Sequence, residues 1–158
     1  MDTHPTISRF WEQCRGAVEG LPSTVPDAWA FGATPAHADE LLALVLDGVK
    51  TATASSLWDY EATGEPVPAV DSYSILLDGR TRPVAVIRTT TITIVPFGEV
   101  TARHAYREGE GDRTLEYWRE SHERYWRAHS ENARGFEPDM PVVCEGFRLM
   151  YAASSPLA

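Results

Sequence analysis

Apolar residues recur along the chain with two distinct periods. Ile7, Phe10, Trp11, Cys14 and Val18 fall at helical spacing and Gly20 and Pro22 close the segment, so the pattern predicts a helix over residues 6–20. A connector rich in Pro, Ser and Asp follows. Thr34-Pro35 then reads as a helix cap and first helical residue. Ala38, Leu41, Leu42, Val45 and Leu46 form one apolar face behind it, and Gly48 is placed as a left-handed stop. The stretch SYSILLD, residues 72–78, predicts a strand. Asp78-Gly79 is a hairpin turn signal, and PVAVIRTTTITIV is rich in β-branched residues until Pro96 breaks it. Residues 114–130 return to the helical period, with Leu115, Trp118, His122, Tyr125, Trp126 and His129 on one face. MPVVCEGFRLMYA predicts a final strand. This order of elements predicts an α+β fold with a mostly antiparallel sheet or small barrel and peripheral helices.

Length and composition narrow the class. The 158 residues favour one domain, 1–158, and 43% hydrophobic with 23% charged residues is the balance of an ordinary globular protein. No apolar stretch reaches the roughly 18–20 residues that span a bilayer, so no membrane partner is expected. The N-terminal residues show no basic run before an apolar one, and Cys14 and Cys144 form no CxxC, so reduced thiols in a cytoplasm are expected. A net charge of −9 works against a partner held mainly through phosphates. Arg119, Arg124, Arg127 and Arg134 are expected to pair with Glu116, Glu120, Glu123 and Glu131 on a solvated helix face.

The motifs for common chemistries are missing. His37, His104, His122 and His129 make no HExxH and no close Cys/His pair exists, so no metal is expected. EGEGDR, residues 108–113, could suggest a Ca²⁺ or Mg²⁺ site, but such a sequence is more often a polar turn, with Asp112 or Thr114 capping the next helix. Without GxSxG, GxGxxG or a P-loop, neither a Ser triad nor a nucleotide cofactor is expected. Trp118, Tyr125 and Trp126 could stack on bases, but their helical spacing reads first as core. Phe31 and Trp58, in polar, loop-like surroundings, are open to packing or to stacking on a base.

One residue is chemically singular. Of 14 basic side chains, Lys50 is the one lysine and the other thirteen are arginine. An ammonium loses its proton when desolvated, whereas a guanidinium does not. In GVKTATASS, Lys50 lies beside Thr51, Thr53, Ser55 and Ser56, and a neutral lysine can activate a hydroxyl for attack on an acyl carbon. In a flat strand residues 50 and 53 point to opposite faces, so joint action needs a turn between them. The alternative is a lysine favouring the C-terminal dipole of the preceding helix, with an ordinary edge strand after it.

The stretches AFGATPAHADELLALVLDGVKTATASSLWDYEATGEPVP, IRTTTITIVPFGEVTARHAYREGEGDRTLEYWRESH and MPVVCEGFRLMY resemble the ASCH domain family, relatives of the PUA-like RNA-modification fold, over residues 30–151. The GxKxxT signature falls on Gly48, Lys50 and Thr53. The resemblance implies a small β-barrel with flanking helices around a cleft. Some small members are N4-acetylcytidine amidohydrolases, and their catalytic lysine, threonine and glutamate fall on Lys50, Thr53 and Glu108, with Glu110 two residues from the last. The resemblance therefore implies a hydrolase that removes the acyl group from N4-acylated cytosine, with a nucleoside as partner and no cofactor. In it a neutral Lys50 deprotonates Thr53, Ser55 helps hold the oxyanion, and a protonated Glu108 serves as acid. Ser56, Phe31 and Trp58 are the further substrate-binding candidates. An RNA-binding module or ribonuclease is the alternative the family offers. Where relatives commonly carry Gly-Asp before the Tyr-Ser of the strand, this chain has Asp71-Ser72.

Overall fold

The structure, a computed structural model, describes residues 4–153. Its elements in chain order are α1 (His4–Ala17), β1 (Ala28–Trp29), α2 (Pro35–Leu46), β2 (Ala52–Ser56), α3 (Leu57–Thr63), β3 (Tyr73–Leu77), β4 (Pro83–Pro96), a 3₁₀ turn at Phe97–Glu99, α4 (Ala102–Glu108), α5 (Leu115–His129) and β5 (Pro141–Ala152). The α+β class expected from the sequence is therefore present. The five strands run β1-β3-β4-β5-β2, with β1 parallel to β3 and β3–β4 and β2–β5 antiparallel. The sheet is mixed, and β1 and β2 are its outer strands. The barrel expected from the resemblance is not confirmed.

Two compact units divide the chain. The first comprises residues 4–48, 71–88 and 148–153 of the described chain. Its core joins Phe10, Trp11 and Cys14 of α1 to Leu21, Ile75 and Val86, so the predicted apolar face of the first helix is the one that packs. Helix α2 begins as expected: Thr34 accepts from the His37 N–H, Pro35 takes the first helical position, and Gly48 follows the helix with φ +77°. The β3–β4 turn is built differently from the expected Asp-Gly hairpin. The left-handed residue is Thr81, at φ +60°, and the Asp78 carboxylate accepts from the backbone N–H groups of Arg80 and Arg82, both at 2.9 Å. Gly79 is required instead by a close approach, since a Cβ there would collide with the Pro35 carbonyl.

The second unit comprises Val49–Val70 and Thr89–Phe147. Its core gathers Trp58, Phe97, Val100, Ala105, Trp118, Trp126, Met140, Val142 and Cys144. Burial on this scale, at about 25 cal/mol per Å² of apolar surface, is what orders the two helices α4 and α5 against β2 and β5. Two short helices here, α3 and α4, were not foreseen. The α4 segment ARHAYRE carries little apolar periodicity, and its start depends on Thr101, whose hydroxyl accepts from the His104 N–H at 3.1 Å. The Arg/Glu pairing expected on α5 is partly realised. Arg127 pairs with Glu123 at 2.9 Å, while Arg119 donates to the Gly98 carbonyl and Arg134 pairs with Glu137.

Candidate active site

Lys50 is carried inward by its neighbours. The Thr51 N–H donates to the Arg107 carbonyl at 2.7 Å, and Arg113 Nη2 donates to the Val49 carbonyl at 3.3 Å, so residues 49–51 are fastened to the end of α4. Gly109 ends α4 at φ +75°, and a Cβ on it would stand 2.7 Å from the Val49 carbonyl. That approach brings Lys50 against both carboxylates flanking the glycine. Lys50 is only 1% exposed. Its Nζ donates to the Ala52 carbonyl at 2.9 Å, to Glu110 Oε2 at 3.1 Å and to Glu108 Oε1 at 3.4 Å. The strand after Lys50 is an outer one, as the alternative reading expected, but the ammonium itself lies between two carboxylates.

Glu108 is saturated with donors. Its Oε2 receives the Trp118 indole N–H at 2.5 Å and stands 2.7 Å from His104 Nε2, while Oε1 lies 3.3 Å from His122 Nε2 and 3.4 Å from Lys50. Burial alone would push this carboxyl up. The charges of His122 and Lys50 and the hydrogen bonds from His104 and His122 outweigh burial and hold it well below the usual carboxylate range. These surroundings favour the ionised form of Glu108, the opposite of the protonated acid in the expected mechanism. His122 responds in the opposite sense. Burial lowers it, but Glu108, with help from Glu110 and the Trp118 carbonyl, raises it above its ordinary value. Glu110, with its side chain 16% exposed and hydrogen-bonded to Lys50, is the half-open carboxylate of the set.

Thr53 lies in the regular part of β2, directly opposite Glu145 of β5. Lys50 itself precedes the strand, which begins at Ala52. Side chains of directly opposed residues share a sheet face. Glu145 is buried and accepts from the Thr89 hydroxyl at 2.5 Å, and burial pushes its carboxyl up. Tyr60 stands beside this group. Burial raises its phenol, the Ser55 hydroxyl pulls it back, and the Glu145 charge adds to the rise.

Ser55 and Ser56 border a cleft of about 200 Å³ whose walls include Tyr60, Tyr125 and Trp126. The Ser56 hydroxyl itself turns to the Met140 sulfur, at 3.3 Å. Trp58 is not in a loop: it belongs to α3, is buried in the second unit's core, and carries the Arg134 guanidinium 3.6 Å over its ring. Phe31 belongs to the first unit, edge-on to Trp29 at 4.8 Å. The sequence reading missed His104, Trp118, His122 and Glu145 as parts of polar networks. For Glu145 a signal existed, a lone charge inside the apolar run PVVCEGF. Trp118 and His122 had none, because their helical spacing reads equally as core. The 108–113 turn behaves as expected, with Asp112 accepting from Thr114 and Thr114 capping α5.

Comparison with known proteins identifies the family. The family model described as ASCH domain matches residues 27–151. Among solved structures, a protein of Enterococcus faecalis is 36% identical, covering 92% of this chain and 88% of its own, with a TM-score of 0.84. An ASCH domain from Lactobacillus crispatus is 27% identical, covering 93% of this chain and 95% of its own, again with a TM-score of 0.84. No curated protein matches. No helix among the described residues is long and apolar enough to cross a membrane. The chain belongs to the ASCH domain family.

Proposed function

We propose that this protein hydrolyses the acyl amide of an N4-acylated cytosine, with Thr53 as nucleophile and Lys50 as the group that moves its proton. The observation that carries the reading is the Lys50 ammonium, buried and clamped between Glu108 and Glu110, three residues before Thr53. The two carboxylates divide the work. Glu108 is fixed as an anion by four donors and orients Lys50, while half-open Glu110 takes the proton that Lys50 must shed before acting as base. The neutral amine removes the Thr53 proton as the oxygen attacks the acyl carbon. The ammonium so formed protonates the cytosine nitrogen as the C–N bond breaks, and water then releases the carboxylic acid from Thr53. Ser55, at the edge of the cleft, is the candidate donor to the oxyanion, a contribution of about 3 kcal/mol in such sites.

The cleft bordered by Ser55 and Ser56, whose lining does not include Lys50, Thr53, Glu108 or Glu110, suits a nucleoside or base better than a phosphate chain. Its rim carries Asp59, Glu65 and Glu131 and no lysine or arginine, and its walls are aromatic. Long RNA would meet uncompensated negative charge there. The test is direct: the purified protein is incubated with N4-acetylcytidine and the products are separated. Cytidine and acetate in equal amounts are expected from the native protein and not from Thr53→Val. An equal rate from Thr53→Val would overturn the assignment of the nucleophile. Cleavage of RNA with no turnover of the nucleoside would favour the ribonuclease reading.

A further inference from the structure

The side of Glu108 that faces Lys50 and His122 has the donor set and spacing of a metal site. One ligand atom each from Glu108, Glu110 and His122 lies within 4.8 Å of the others. Carboxylate oxygen and imidazole nitrogen are both zinc ligands, so two carboxylates and one imidazole are a chemically suitable donor set for a divalent ion of the zinc type. The contact between Glu108 Oε1 and His122 Nε2 is 3.3 Å. Two ligands of one tetrahedral ion at about 2.1 Å stand roughly 3.4 Å apart, so this edge already has the required length.

The outer hydrogen bonds are also of the required kind. His122 Nδ1 lies 2.8 Å from the Trp118 carbonyl, which can only accept, so Nδ1 carries a hydrogen; Nε2, which donates to Glu108 in the metal-free protein, releases its proton to solvent when it binds the ion. Metal-ligating histidines are characteristically held by their other nitrogen in this manner. The remaining oxygen of Glu108 is held by Trp118 and His104 at 2.5 and 2.7 Å. The contacts on the inner oxygen are slack by comparison: Lys50 is 3.4 Å away, longer than the roughly 2.7–2.9 Å of a good charge-assisted bond. The half-open side chain of Glu110 supplies the third ligand.

We infer that Glu108, Glu110 and His122 form a divalent-metal site in which the ion competes with the Lys50 ammonium for the same two carboxylates. The site alternates between an internal cation and an external one. This goes beyond the hydrolase reading and does not depend on it, because occupancy can be measured without substrate.

The test uses the full chain, stripped with a chelator and titrated with zinc against a chromophoric indicator, folding being checked by circular dichroism. One equivalent is expected to bind. His122→Ala and Glu110→Gln should each weaken binding by about tenfold or more, and Lys50→Met should tighten it, because it removes the competing cation. Absence of stoichiometric binding, or binding unchanged in both ligand variants, would overturn the site. Weaker binding in a folded Lys50→Met would overturn the competition. If that variant does not fold, the same competition is read from Lys50→Gln.

Discussion

Thr53 and Glu145 face each other across the β2–β5 ladder, so the proposed nucleophile shares its sheet face with a buried carboxyl. Burial raises that carboxyl above its ordinary value of 4.5, against the pull of the Thr89 hydrogen bond. A carboxyl that titrates higher in the native state binds its proton more tightly there. Its contribution to stability is therefore full below the unfolded value and is lost as pH rises through the folded one. Glu145→Gln imitates the protonated form and keeps an acceptor for Thr89. Urea unfolding from pH 4 to pH 8 should show a flatter pH dependence for Glu145→Gln, and at pH 7 the variant should be at least as stable as the native protein. A variant clearly less stable at pH 7 would show that the Thr89 bond to the charged form outweighs burial.

Lys50→Arg separates proton transfer from charge. The guanidinium would preserve a cation between Glu108 and Glu110 but cannot give up its proton. Turnover of N4-acetylcytidine should fall by about a hundredfold or more, the scale of a lost general base. Near-native turnover would sink the base role of Lys50.

How far the sequence could be read depended on which force set each feature. Helices α1, α2 and α5 were legible because one apolar face buries each of them, and β4 and β5 because β-branched and apolar runs cover them. Helix α4 was not, because its order comes from a cap at Thr101 and from contacts of Arg107 and Arg113 with residues 49–51, which no local pattern encodes. The same division runs through the site. Lys50 stood out by its uniqueness. The ionised state of Glu108 did not, because three of its four donors lie outside its own helix, and a sequence shows a glutamate without its company.

Asp71 is a non-glycine residue in the left-handed region, at φ +71°. Its carboxylate pairs with Arg88 at 2.5 Å, but both side chains are well exposed, and such pairs contribute about 0–1 kcal/mol. Left-handed backbone costs a non-glycine residue roughly 1 kcal/mol, less for Asp than for most. Asp71→Gly should thus leave stability within about 1 kcal/mol of native. Asp71→Val, β-branched at the same φ, should cost clearly more in urea unfolding. A large loss in Asp71→Gly would mean that the ion pair, not the turn, fixes this corner.

Gly109 allows a sharper comparison, because the fold contains its control. Gly64 and Gly109 both end a short helix in the left-handed region, at φ +76° and +75°. A Cβ on Gly64 meets nothing within 4 Å, whereas one on Gly109 meets the Val49 carbonyl at 2.7 Å and the Val49 side chain at 2.9 Å. Gly64→Ala should therefore cost about 1 kcal/mol, the backbone term alone. Gly109→Ala adds a collision with backbone that is itself bonded to Arg113, and should cost about 2–4 kcal/mol. The relief available is for residues 49–51 to move away from α4, which takes Lys50 from Glu108 and Glu110. The substitution should then reduce turnover by more than its effect on stability at the assay temperature explains, while Gly64→Ala leaves turnover native. Equal losses of stability in the two variants would mean that Val49 does not press against the end of α4, and the clamp on Lys50 would lose its structural cause.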